Sequence, residues 1–217
     1  MKTFLSIGSG PGIGTATAEC FGREGYRLVL TSRDVAKLDH RAAELSEKGY
    51  RVETRAVDAG DLDGVAALIR DVAAEFETID VLHFNSAAMH GGTIDQQAAD
   101  TFVPDLTINV AAALVAVQTV SPAMLARGSG SILLTSGVFA ITPNPEYLSL
   151  GIGKAAIRNM AQALFDPFKD RGVHIAMVNV ATPVAPGSAE ALGVADAFWN
   201  LHAAPAETWD WEVTYPS

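Results

Sequence analysis

The run Thr3-Phe-Leu-Ser-Ile-Gly8-Ser-Gly-Pro-Gly12-Ile-Gly14 decides the fold. Thr3–Ile7 is a short, mostly apolar segment of the length expected for a strand buried on both faces. It runs straight into a glycine-rich turn, and a helical pattern starts at Ile13. A tight turn at positive φ needs glycine, and so does a backbone that must approach a pyrophosphate with no Cβ in the way. The helix that follows offers unpaired N–H groups and the positive end of its dipole to an anion. The spacing is G-x-x-x-G-x-G, carried by Gly8, Gly12 and Gly14. Ile13 stands where the commoner G-x-G-x-x-G pattern has its third glycine. A plain turn is the alternative reading, but a glycine cluster between a first strand and a first helix points to a dinucleotide phosphate site.

Outward from this loop, short apolar runs alternate with longer helical patterns. The runs Thr3–Ile7, Arg27–Thr31, Arg51–Ala56, Val81–Phe84, Ser131–Thr135 and His174–Val180 read as strands. Helices are expected over Ile13–Glu24, Val35–Lys48, Leu62–Glu77, Phe102–Ala126, Leu148–Lys169 and Ala189–Leu201, the last capped by Ser188. The alternating tail from Thr208 to Tyr215 adds an edge strand. This order implies an α/β fold of the Rossmann type, a doubly wound and mainly parallel sheet with helices on both faces. Residues 1–217 are expected to form a single domain, with 184–217 as a short C-terminal segment for substrate or subunit contact.

The bulk numbers agree. A chain of 217 residues with 49% hydrophobic and 18% charged residues can bury a substantial core. A net charge of −10 argues against nucleic acid and anionic membrane as partners. The single cysteine, Cys20, excludes an internal disulfide and a cysteine metal site, and its helical setting suits a small buried hydrophobe. No metal site is expected. The N-terminal apolar run is too short for a signal-peptide core, and no stretch is read as reaching the roughly 20 apolar residues of a membrane helix. A cytoplasmic protein is the expectation.

Cofactor choice is read at the end of the second strand, Leu30-Thr-Ser-Arg33-Asp34. An acid there would hold the ribose 2′-OH of NAD. Ser32 occupies that place and Arg33 follows, and a guanidinium can grip a 2′-phosphate through two N–H groups. NADP(H) is therefore preferred over NAD(H). Asp34 tempers this, because it could instead cap the next helix.

The segment Gly130-Ser-Ile-Leu-Leu-Thr-Ser-Gly, a spacer, then Leu150-Gly-Ile-Gly-Lys154 resembles the active-site stretch of the short-chain dehydrogenase/reductase family. In that family a serine precedes Tyr-x-x-x-Lys by about a dozen residues. Aligned on Lys154, the tyrosine position holds Leu150 and the serine position holds Gly137. Other stretches carry the same resemblance. Asp58 sits where the family contacts adenine, or it could be a loop residue or a helix cap. Asn85, Ser86 and Ala87 match in part the Asn-Asn-Ala-Gly after the fourth strand. Asn85 could also brace the sheet. Asn109 falls at the family's helical asparagine, which implies a kink and a water-mediated proton relay with the lysine; a structural cross-link is the other reading. Pro183 belongs to the segment over the nicotinamide, with Val184 in place of glycine and Ser188 where a threonine is usual. His83, inside a strand, reads as core, and His202 as a helix C-terminal cap.

What the resemblance implies is hydride transfer between NADP(H) and a small carbonyl or alcohol substrate, in a homodimer or homotetramer. Lys154 would hold the nicotinamide ribose and lower the pKa of a phenol. Since Leu150 and Gly137 have no proton to offer, the nearest substitutes are Tyr147 and Ser136. Tyr147 lies seven residues before Lys154, within about 20° of two helical turns. Ser136 lies one residue from the serine position, and in a strand that slip turns its side chain to the other face unless the strand has ended or bulges. Tyr147 could equally be helix-start packing. The alternative is an NADP(H)-binding sensor or scaffold that has lost the proton donor.

Overall fold

The computed structural model describes residues 1–216. Seven strands form one parallel sheet in the order β3-β2-β1-β4-β5-β6-β7. They are β1 Thr3–Ile7, β2 Arg27–Ser32, β3 Val52–Ala56, β4 Val81–Phe84, β5 Gly130–Gly137, β6 Val173–Val180 and β7 Glu212–Tyr215. The helices are α1 Ile13–Arg23, α2 Val35–Glu47, α3 Leu62–Phe76, α4 Ala99–Leu106, α5 Ala112–Arg127, α6 Leu148–Lys169 and α7 Ala189–Ala203. The sequence reverses direction spatially between β1 and β4, where the order turns from descending to ascending. In open α/β sheets ligands bind outside the carboxyl ends of the strands at such a point.

Strand alternation divides the core between two faces. Leu5, Ile7, Leu82, Phe84, Ile132 and Leu134 pack on one side with residues of α3, α5 and α6. Phe4, Leu28, Leu30, Val81 and Leu133 face the other side, towards α1, α2 and α7. Each fully buried side chain of this size contributes about 1.5–3 kcal/mol. His83 lies on the second face, wholly buried, between the hydroxyls of Ser6 and Thr135 at 3.2 Å each. Burial pushes its pKa down to about 3, so the ring is neutral and structural.

The expected helix Phe102–Ala126 is not uniform. It begins at Ala99, and a π-helical stretch, Thr107–Ala111, separates α4 from α5. Pro104 offers no N–H to the ladder, and Asn109 pulls its side chain across to another segment. The span Ala99–Arg127 is also long and apolar enough to cross a membrane by length and composition, contrary to the sequence reading. Ala112, Ala113, Ala116, Val117 and Val120 from it are instead buried against the sheet.

The tail does supply the edge strand, but only from Glu212. Its neighbours are anchored by side chains: Trp209 stacks on His174, Trp211 lies under the Arg158 guanidinium, and Glu212 takes both Arg158 N–H bonds at 2.8 Å. His202 is not a simple helix cap. Its ring links the Tyr26 hydroxyl at 2.7 Å to the Ser131 hydroxyl at 2.8 Å, beneath the sheet. Cys20 is buried in α1, and desolvation raises its thiol pKa.

Candidate functional site

A cavity of about 700 Å³ opens at the carboxyl ends of the central strands. Gly10, Gly12 and Ile13 form one end of its lining, and Asn85 and Ala87 follow β4. The end of β5 brings Thr135, Ser136 and Gly137; α6 and its entrance bring Tyr147, Leu150 and Lys154. The segment Val180–Val184 closes the far wall.

The glycine loop is shaped by close approach. Gly8 has φ of +90°, and a Cβ there would stand 2.6 Å from the Ser86 amide nitrogen. A Cβ on Gly14 would lie 2.8 Å from the Ser9 Cα, so the loop can fold under the start of α1 only with glycine. Asn85 donates from Nδ2 to the Gly8 carbonyl at 2.8 Å and ties the loop to the end of β4. Thus Gly8, Ser86 and Asn85 build the loop, while Gly12 and Ile13 face the cavity.

The N-terminus of α1 lacks the side-chain cap that three other helices carry. Asp34, Asp61 and Ser188 cap α2, α3 and α7 with side-chain acceptors. Gly12 caps α1 with none, and the first turn of α1 holds no acidic residue. Its partial positive charge therefore faces the cavity without a protein counter-charge, which suits the pyrophosphate of a dinucleotide.

At the end of β2, Asp34 is engaged in capping. It accepts from the Lys37 N–H at 3.2 Å and pairs with the Lys37 ammonium at 3.0 Å. Ser32 accepts from the Asp34 N–H at 3.2 Å. Arg33 is exposed and has no ion pair among the described residues. Arg41, not singled out by sequence, sends a guanidinium N–H to the Ser9 carbonyl at 3.5 Å and brings a second cation to the glycine loop. Asp58 is exposed and accepts from the Gly60 N–H at 2.9 Å, closing a turn; the cap of the next helix is Asp61.

Lys154 is the buried cation of the site. Its Nζ donates to the Thr135 carbonyl at 3.0 Å, and burial pushes its pKa down to about 8. Tyr147 stands at the N-cap of α6 with φ of −137°, just outside the helix, and its ring stacks on Phe139 at 5.4 Å. Its hydroxyl has no partner among the described residues, so it is available to a ligand. Gly92 approaches the same place: its N–H donates to the Glu146 carbonyl at 2.7 Å, locking the β4–α4 loop to the entrance of α6.

Two expected catalytic residues are otherwise employed. The ladder of β5 with β6 continues through Ser136 to Gly137, so the strand neither ends nor bulges at the serine. The Ser136 hydroxyl turns to α6 and donates to the Lys154 carbonyl at 3.4 Å. Asn109 uses both ends of its amide on Ala88, accepting at 2.8 Å and donating at 3.0 Å. This pair of bonds cross-links the π-helical stretch to the segment after β4. Ser188 is likewise removed from the cofactor set. The chain turns after Pro183, and the Ser188 hydroxyl accepts from the Ala191 N–H as the cap of α7. Thr182, one residue before the proline, lines the cavity. Sequence carried no spacing signal for Thr182, because the replacement of glycine by Val184 obscured the register of that segment.

Comparison with known proteins agrees with this architecture. The chain is 29% identical over 192 residues to the oxidoreductase asL5 of Sarocladium schorii, covering 88% of this chain and 76% of that one. It is similar in structure to a short-chain dehydrogenase from Rhodopseudomonas palustris, with a TM-score of 0.91, 25% identity, and 100% and 98% of the two chains covered. A metagenomic short-chain oxidoreductase in complex with NADP gives a TM-score of 0.87 at 25% identity, covering 98% of this chain and 96% of that one. The short chain dehydrogenase family model matches residues 2–190, and the chain belongs to that family.

Proposed function

We propose that this protein is an NADP(H)-dependent oxidoreductase that interconverts a carbonyl and an alcohol. The observation that carries the reading is that Lys154 and Tyr147 both line the cavity that begins at the uncapped N-terminus of α1. Bound NADP(H) would supply or accept the hydride. Gly12, Ile13 and the α1 dipole hold its pyrophosphate, and Arg33 meets the 2′-phosphate. Lys154 holds the nicotinamide ribose, and Thr182 and Pro183 border the nicotinamide. Tyr147 delivers the proton to the carbonyl oxygen during reduction and takes it back during oxidation.

Preference for NADP rests on Arg33 without a carboxylate neighbour free to bind the ribose, and a relative in the same family is known as an NADP complex. We assign no polarising role to Ser136. A cytoplasmic location and a homodimer or homotetramer complete the proposal; exposed Val103, Leu114 and Ile152, in α4, α5 and α6, suit a subunit contact.

A second reading has one observation in its favour. Leu150 and Gly137, at the family's tyrosine and serine positions, both line the cavity and offer no proton. It describes an NADP(H)-binding protein without turnover. The test is NADPH oxidation across a panel of ketones and aldehydes, with wild type and Tyr147→Phe side by side. The enzyme reading expects turnover that falls about 100-fold or more in the variant. Tight NADPH binding with no oxidation by any carbonyl would establish the second reading.

A further inference from the structure

The substrate end of the cavity is apolar and carries no free charge. Met89, Val138, Phe139 and Leu150 form its walls with the ring of Tyr147. The stacked rings of Phe139 and Tyr147, 19° from parallel, make one side a flat aromatic surface. Among the described residues Lys154 is the one charged side chain in the lining, and it is buried and already donates to Thr135. The loops that flank the opening continue the pattern: Met89 is 71% exposed, Ile94 75% and Ile141 52%. Among the described residues no carboxylate lines the cavity to meet a cationic substrate. A carboxylate substrate would find no cation except the one reserved for ribose, and would approach a protein of net charge −10. Burying an unpaired charge is costly, whereas burying flat apolar surface is favourable.

We propose that the substrate is an uncharged, largely apolar carbonyl compound or its alcohol, with a flat or aromatic body that lies along Phe139, Leu150 and Met89. This rests on the oxidoreductase reading of the same site and names its substrate class. Leu150 is then a specificity residue: it fills with hydrocarbon the place that the family gives to a phenol.

The experiment uses a matched pair of probes, 2-acetylnaphthalene and 6-acetyl-2-naphthoate, with the full chain in the presence of NADP. Binding is read by ligand-observed NMR, and turnover separately by NADPH oxidation. The neutral ketone is expected to bind about 100-fold more tightly than the carboxylate. Leu150→Lys, which adds a cation to the wall, should narrow that gap. Equal or tighter binding of the carboxylate by the wild type overturns the proposal. So does the failure of the neutral ketone to bind below about 1 mM. Selective binding of the neutral ketone without NADPH oxidation would remove the oxidoreductase reading while upholding the apolar ligand class. The wild-type comparison stands even if Leu150→Lys does not fold.

Discussion

The ammonium of Lys154 is held 3.0 Å from the carbonyl oxygen of Thr135, so the charge at the centre of the site is anchored by the sheet itself. One carbonyl does not replace the water that burial removes, and the pKa falls to about 8 from 10.5. Between those values the unfolded chain holds a proton that the folded chain has released. Stability therefore rises as pH goes from about 8 towards 10.5, and the penalty is fully present below 8. Lys154→Met should be more stable than wild type at pH 7, should lack the rise at alkaline pH, and should bind NADP more weakly. Urea midpoints at pH 7 and 9.5 decide this. A variant less stable at pH 7 would mean that the bond to Thr135 outweighs the desolvation.

Leu150 offers a gain-of-function test of the proton donor. It lies on the cavity wall four residues, about one helical turn, before Lys154. In the Tyr147→Phe background, Leu150→Tyr should restore NADPH-dependent ketone reduction by at least about tenfold, since a positioned general acid contributes about 100-fold or more. Retained NADP affinity with no recovery would show that Lys154 and the wall are not arranged for proton transfer from that turn.

Arg33 should set cofactor preference. It is exposed and free, whereas the neighbouring acid, Asp34, is occupied by Lys37 and the start of α2. Arg33→Ala should weaken NADP binding by about tenfold or more and leave NAD nearly unchanged, because a charge-assisted contact contributes about 1.5–3 kcal/mol. Ser32→Asp should move preference towards NAD. Titration of both cofactors measures the outcome, and equal loss for NAD and NADP would exclude a 2′-phosphate role.

Sequence exposed the frame of this molecule because its signals are local. A strand, a glycine loop and a helix start lie within residues 3–14, and each buried strand is a short apolar run. The site was harder to read because its outcome depended on where single side chains turn. Ser136 was one residue from a useful position, and a continuous ladder with β6 settled its direction towards α6. Asn109 carried two readings that only the position of Ala88 could separate. Thr182 and Arg41 reach the cavity and its loop through tertiary placement and leave no periodic trace. Tyr147 stays within reach because it precedes α6 rather than belonging to it, which a helical-face argument does not capture.

Two glycines of α6 separate helix propensity from packing. At Gly151 a Cβ would stand 3.6 Å from the nearest atom, the Phe139 carbonyl oxygen, which is ordinary contact. Gly151→Ala should therefore keep or raise stability, by up to about 1 kcal/mol from the helical preference of alanine. At Gly153 a Cβ would lie 2.6 Å from the Asn109 Cβ. Asn109 cannot swing aside, because its amide is bonded at both ends to Ala88 and its backbone lies in the π-helical stretch. Overpacking costs about 1–3 kcal/mol, enough to exceed the propensity gain. Gly153→Ala should thus lower the melting temperature, and the displacement of Asn109 should loosen the loop after β4 and weaken substrate binding as well. Melting curves of the two variants, paired with KM for an apolar ketone, test both halves. If Gly153→Ala melted as high as Gly151→Ala, the contact between Asn109 and α6 would not be the tight one described.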